Sequence, residues 1–125
     1  MTASAPYIEW LKDVLRPLGA IAVRRMFSGA GVYCDGVMFA IINGDQLYLK
    51  TDSVGAAAFA AEGQSPFVYA TKRGPGQLKS YWQAPDRLSD DSDDLIAWAR
   101  RALAIARRAA ADAATKKARK LSPRA

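Results

Sequence analysis

The side chains that carry most enzymatic chemistry are sparse in this 125-residue chain: there is no histidine, and Cys34 is the single cysteine. Without histidine there is no Ser-His or Cys-His nucleophile pair, no His-ligated zinc and no imidazole base near neutral pH. The clustered carboxylates, Asp90, Asp91, Asp93 and Asp94, lack the D-x-D-x-D-G spacing of a calcium loop. They also open a predicted helix, whose positive end favours them without any ligand. Cys34 has no CxxC partner, and Asp35 beside it opposes a thiolate, so it reads as a packing residue. Gly29-Ala30-Gly31 fits neither the phosphate loop nor the dinucleotide fingerprint, and it leads into a strand. Glycines in such a place mark a bulge or a close backbone approach. The expectation is a protein that is not an enzyme and uses no cofactor and no metal.

Binding chemistry remains. The net charge of +6 is unevenly spread. Residues 100–125 hold nine basic residues against Asp112, a net +8, whereas residues 1–99 hold nine basic and 11 acidic, a net −2. Arg100 and Arg107 are spaced as Arg101 and Arg108 are, placing all four on one helical stripe away from the apolar face, and Lys116, Lys117, Arg119 and Lys120 extend it. Such a stripe is either a solvated face with a solubilising tail or a non-specific surface for nucleic-acid phosphate.

The strand aromatics Tyr48, Phe67, Tyr69, Tyr81 and Trp82, with Lys50, Lys72, Arg73 and Lys79 near them, are a second candidate. Strand aromatics can stack bases, although packing and cross-strand pairing use the same residues more often. Arg24 and Arg25 point to opposite faces of a strand, so at least one should be buried and partnered. For Arg25 the partner is a helix carboxylate, a helix carbonyl or an anion.

The element that positions these groups is Met26 to Asp52, three strands joined by tight turns. Asp35-Gly36 and Asn43-Gly44 suit the two central positions of type I′ hairpin turns. Two-residue loops then set Cys34 opposite Val37 and Ile42 opposite Asp45. Simple alternation gives a helix-facing side of Tyr33, Met38, Ala40, Ile42, Leu47 and Leu49. The partly wet side carries Val32, Cys34, Val37, Phe39, Ile41, Gln46, Tyr48 and Lys50.

A helix starts near Pro6, with Ser4 as cap, and ends near Arg16; Ile21 to Phe27 is a strand. Beyond the meander come a short helix over Val54 to Glu62, a strand over Pro66 to Thr71, a turn over Lys72 to Gln77 and a strand over Leu78 to Ala84. A long helix follows, with Leu95, Trp98, Ala99, Ala102, Leu103 and Ala106 as its apolar stripe. The order predicts an α+β fold, an antiparallel β-meander sheet with flanking helices in two layers. Residues 6–110 form the domain, with residues 1–5 and a basic tail over 111–125 expected to lack fixed structure. The longest apolar run, Val37 to Ile42, is too short to span a bilayer, and the N-terminus lacks the pattern of a secretory signal. The expected location is cytoplasmic, with no membrane partner.

Arg25-Met26-Phe27-Ser28-Gly29-Ala30-Gly31, Tyr33, Gly36, Met38-Phe39 and Leu47-Tyr48-Leu49-Lys50 resemble the N-terminal domain of the TfoX/Sxy family. Pro66-Phe67, Tyr69, Tyr81-Trp82, Pro85 and the run from Trp98 to Leu103 follow in the same order, so the resemblance covers roughly residues 8 to 106. It implies a compact α+β domain similar in architecture to type III secretion chaperones. Its best-known members regulate DNA uptake together with the cyclic-AMP receptor protein, and carry a helical domain where this chain has its basic stretch. No catalytic residues come with the resemblance. Arg25, Met26, Phe27, Gly29, Gly31, Tyr33, Gly36, Phe39, Tyr48, Lys50, Tyr81 and Trp98 are its family-motif residues, in structural roles. The resemblance implies a non-enzymatic regulatory or adaptor domain acting through protein contact, with transcription machinery as a partner and a homodimer as its state. The competing expectation is non-specific DNA binding through the basic helix and tail.

Overall fold

A computed structural model gives the structure over residues 3–26 and 29–121. Six strands, β1 (Ile21–Met26), β2 (Gly29–Cys34), β3 (Val37–Asn43), β4 (Gln46–Lys50), β5 (Pro66–Thr71) and β6 (Gly74–Gln83), form one antiparallel sheet in the order β1-β2-β3-β4-β6-β5. The helices are α1 (Ala5–Val14), α2 (Ala56–Ala61) and α3 (Ser92–Leu121), with 3-10 turns at Arg16–Leu18 and Asp86–Asp90. The architecture is the α+β class that the sequence predicts.

Two details of register depart from the sequence reading. Asn43 pairs with Gln46 and Ile42 with Leu47, so the β3–β4 loop is Gly44-Asp45, one residue later than Asn43-Gly44. Both loop residues have positive φ, 60° and 54°, as a type I′ turn demands. This register sets Leu47 rather than Asp45 opposite Ile42. Asp45 instead accepts a hydrogen bond from the Ser4 amide at 2.8 Å, which holds its carboxyl below the usual range. The first loop falls as predicted, with Cys34 opposite Val37.

The second departure is a β-bulge. Val32 pairs with Ala40 but Tyr33 pairs with Met38, leaving Phe39 as the extra residue. Phe39 and Ala40 are consecutive, yet both lie fully buried in the core. Met38 and Ile41, which flank them, turn to the opposite face. Uniform alternation places Tyr33 and Met38 under the helices and Val32, Cys34, Val37 and Phe39 on the wet side. The bulge reverses these six, and the helix-facing side is Val32, Cys34, Val37, Phe39, Ala40, Ile42, Leu47 and Leu49.

α3 packs on β3 and β4 through Leu95, Trp98, Ala99, Ala102, Leu103 and Ala106, all buried as the helical spacing requires. Asp91 accepts a hydrogen bond from the Asp94 amide at 3.1 Å, so the acidic run caps this helix. The helix continues to Leu121, past the boundary expected at residue 110. Alanine, lysine and arginine sustain it by intrinsic propensity, since residues 107–118 are exposed. At the N-terminus Ala3 is buried, and Ser4 caps α1 as the sequence predicts, accepting from the Tyr7 amide at 3.3 Å. Arg25 anchors this end, donating from Nη1 to the Ala3 carbonyl at 2.6 Å.

Candidate docking groove

All three helices lie on one side of the sheet, and the other side is where the apolar residues of the bulge come out. A groove of about 630 Å³ runs there, lined by Met26, Met38, Ile41, Phe67, Tyr69 and Leu78, with Gly29, Ala30, Asn43, Val68 and Ala70 completing it. Its size is within the few-hundred to thousand Å³ range of ordinary ligand sites, and its lining is apolar apart from the Asn43 amide and the Tyr69 hydroxyl.

The glycines of the family motif shape this face. A Cβ on Gly31 would stand 2.8 Å from Met38 Sδ, 2.9 Å from Met26 Cε and 3.1 Å from the Tyr33 ring. A Cβ on Gly29 would meet the Ile42 carbonyl at 2.2 Å. Gly29 therefore needs the bare backbone for close approach, as the reading of Gly29-Ala30-Gly31 expects, whereas at Gly31 the flexible ends of Met38 and Met26 would have to move.

Aromatic rings continue the surface from the groove. Phe67 meets Tyr48 edge-on at 4.9 Å and stacks with Tyr69 at 6.4 Å. Tyr81 donates to the Met38 carbonyl at 3.4 Å. Burial pushes the Tyr48 hydroxyl up from its ordinary range and the Tyr81 hydroxyl up to about 12. Two cations cover rings on this side: Arg24 lies 5.3 Å from the Tyr33 centroid and Lys50 5.1 Å from Tyr81. Among these aromatics Tyr69 is the exposed one, at 44%, next to Val68 at 52%. The others chiefly pack against one another, and Trp82 turns to the helix side, where it meets Phe59 at 6.3 Å.

The predicted basic stripe is not one surface. Arg107 reaches the β2–β3 turn, 3.2 Å from Asp35 and 3.8 Å from the Cys34 sulfur. Arg108 reaches the other way, 3.6 Å from Asp52, and Arg101 lies over the Trp98 ring at 5.0 Å. Adjacent residues on a helix are about 100° apart, which carries the two rows toward different loops. Arg100, Lys116 and Lys117 are exposed, while Phe27 and the Arg119 and Lys120 side chains lie outside the described residues. Cys34 is fully buried, its sulfur 3.8 Å from the Leu18 carbonyl, in keeping with a packing role.

Of the family-motif residues, the structure gathers Met26, Gly29, Gly31, Tyr33, Tyr48, Lys50 and Tyr81 on the open side. Phe39 belongs to the core, Gly36 to the first hairpin turn at φ 80°, and Trp98 to the helix layer, edge-on to Phe59 at 4.9 Å. Met38 as a groove residue escapes the sequence reading, because only the bulge brings it to the face on which alternation already placed Ile41. Among the described residues no cluster of three or more acidic or cysteine side chains could hold a metal ion, and no helix is long and apolar enough to cross a membrane.

An antiparallel six-stranded sheet carrying its helices on one side and an apolar groove on the other defines the class as an α+β domain. The family model of the TfoX N-terminal domain matches residues 13–106, and the chain belongs to that family. The match spans every element that lines the groove. No curated protein matches the chain.

Proposed function

We propose that this TfoX N-terminal domain is a non-catalytic regulatory adaptor that docks a protein partner on the open side of its sheet. The observation that carries the reading is the groove itself, apolar, about 630 Å³ in volume and continuous with the exposed Val68 and Tyr69. Exposed apolar surface next to aromatic anchors is the usual character of a protein-contact site. Membership of a regulatory family supports the same conclusion. The test is a photo-crosslinking benzoyl-phenylalanine placed at Tyr69 in the full chain, with a control at Val54, which is 83% exposed outside the groove. The expected result is a discrete protein adduct from position 69 and none from position 54. Equal adducts from both positions, or none from either, would remove the reading.

A second reading has its own observation. Residues 107–118 of α3 are exposed and include Lys116 and Lys117. An exposed basic helix favours phosphate contact whose affinity falls steeply with salt. A salt series with fluorescent duplex DNA checks it: binding should be lost when Lys116 and Lys117 are replaced by alanine, and salt-insensitive binding would refute it.

A further inference from the structure

The groove does more than offer apolar side chains. A pocket lying on one face of a strand touches alternate residues, because successive side chains point to opposite faces. This one is lined by four consecutive residues of β5, Phe67, Val68, Tyr69 and Ala70, so it runs along the edge of that strand. β5 is also the last strand of the sheet, paired with β6 on one side only.

The hydrogen-bonding parity of that edge follows from one residue. Ala70 is opposite Pro75, and proline has no N–H with which to exchange the two bonds of a hydrogen-bonded pair. Ala70 and Pro75 are therefore a non-bonded pair, as are Val68 and Gln77 two residues on. The backbone N–H and C=O groups of Val68 and Ala70 then point away from β6, toward the groove. From Phe67 to Thr71 the edge carries no charged residue, and among the described elements no helix packs substantially on it; the two protective features of β5, Pro66 and the register break beside it, stand at the strand's start. The charges come just after it, at Lys72 and Arg73 of the hairpin turn, both exposed.

We propose that the free edge of β5 is a strand-addition site for an extended segment of a partner protein, apolar at alternate positions and carboxylate-bearing at its N-terminal end. The inference rests on the docking reading above and specifies its occupant. An antiparallel addition places the N-terminus of the incoming segment beside Lys72 and Arg73, which is why the carboxylates belong there. Its inward side chains enter the space between Met26, Met38, Ile41 and Phe67.

The probe is a C-terminally fluorescein-labelled octapeptide, acetyl-Asp-Glu-Val-Thr-Val-Thr-Val-Thr, titrated against the full chain by anisotropy. Two further versions are N-methylated either at the valines or at the threonines, and a fourth carries Lys-Lys in place of Asp-Glu. Saturable binding is expected. One methylated set should bind at least about tenfold more weakly, as when two or so backbone hydrogen bonds are lost. The Lys-Lys peptide should also be weaker. Ala70→Pro, which removes one outward donor at a tolerated edge position, should weaken binding about several-fold while leaving the circular dichroism spectrum unchanged. Equal binding of both methylated peptides would overturn strand addition and leave groove docking standing. Indifference to the charge swap would overturn the acidic end. Absence of all peptide binding would also overturn the proposal. If the chain then sediments as a dimer with β5 amides protected from exchange, the edge belongs to a second copy.

Discussion

Arg87 shows how single residues tie this fold together. Its guanidinium donates to both oxygens of Glu62, after α2, and to Asp94 at the start of α3, and lies 5.9 Å from the Trp98 centroid. The hydrogen bonds from Arg87 hold the Glu62 carboxyl below its ordinary range. A carboxyl with a lowered folded pKa adds stability above its unfolded pKa and loses it as pH falls through the folded value. Arg87→Ala should therefore lower the urea midpoint at pH 7, and the ionic share of that loss should vanish under strongly acidic conditions. In the core, Phe39 is fully buried at the bulge. Phe39→Ala should cost about 3–5 kcal/mol in equilibrium unfolding, from the cavity it leaves. A cost below about 1 kcal/mol would mean that the site collapses around the loss.

At the scale of elements, α3 divides into a packed half and an exposed one. The stripe through Ala106 is buried and residues 107–118 are exposed. A chain ending after residue 110 keeps the Arg107 and Arg108 bridges, and should unfold within about 0.5 kcal/mol of the full chain, as changes away from packed features do. The Arg107–Asp35 pair is half-exposed, so a double-mutant cycle should return only about 0.2–1 kcal/mol.

Most of these elements were legible in the sequence. Helical spacing located the α3 stripe, and Asp35-Gly36 located the first hairpin. The groove was not legible, because it depends on one extra residue. Nothing in Val37–Asn43, an almost unbroken apolar run, distinguishes Phe39 pointing inward from Phe39 pointing outward. Alternation fixes faces only where polar residues mark the wet side. The β3–β4 loop slipped by one for a similar reason: Asn43, Gly44 and Asp45 all tolerate positive φ, and the apolar pairing of Ile42 with Leu47 decided among them.

For the whole molecule, the arrangement is asymmetric in a way that bears on function. The helix layer satisfies one side of the sheet, and the bulge concentrates methionine and aromatic side chains on the other. The basic helix end lies outside this packing, so the protein-docking and phosphate-binding readings occupy different parts of the chain and can be separated by mutation. The most direct measurement replaces the native gene with a Tyr69→Asp variant and compares its transcript profile with the wild type and with a deletion. Tyr69 is partly exposed at the rim, so the substitution should leave the protein folded and present at normal levels. A folded Tyr69→Asp protein should reproduce the deletion profile. A wild-type profile from that variant, with the deletion profile appearing instead when Lys116 and Lys117 are replaced by alanine, would contradict the protein-docking reading.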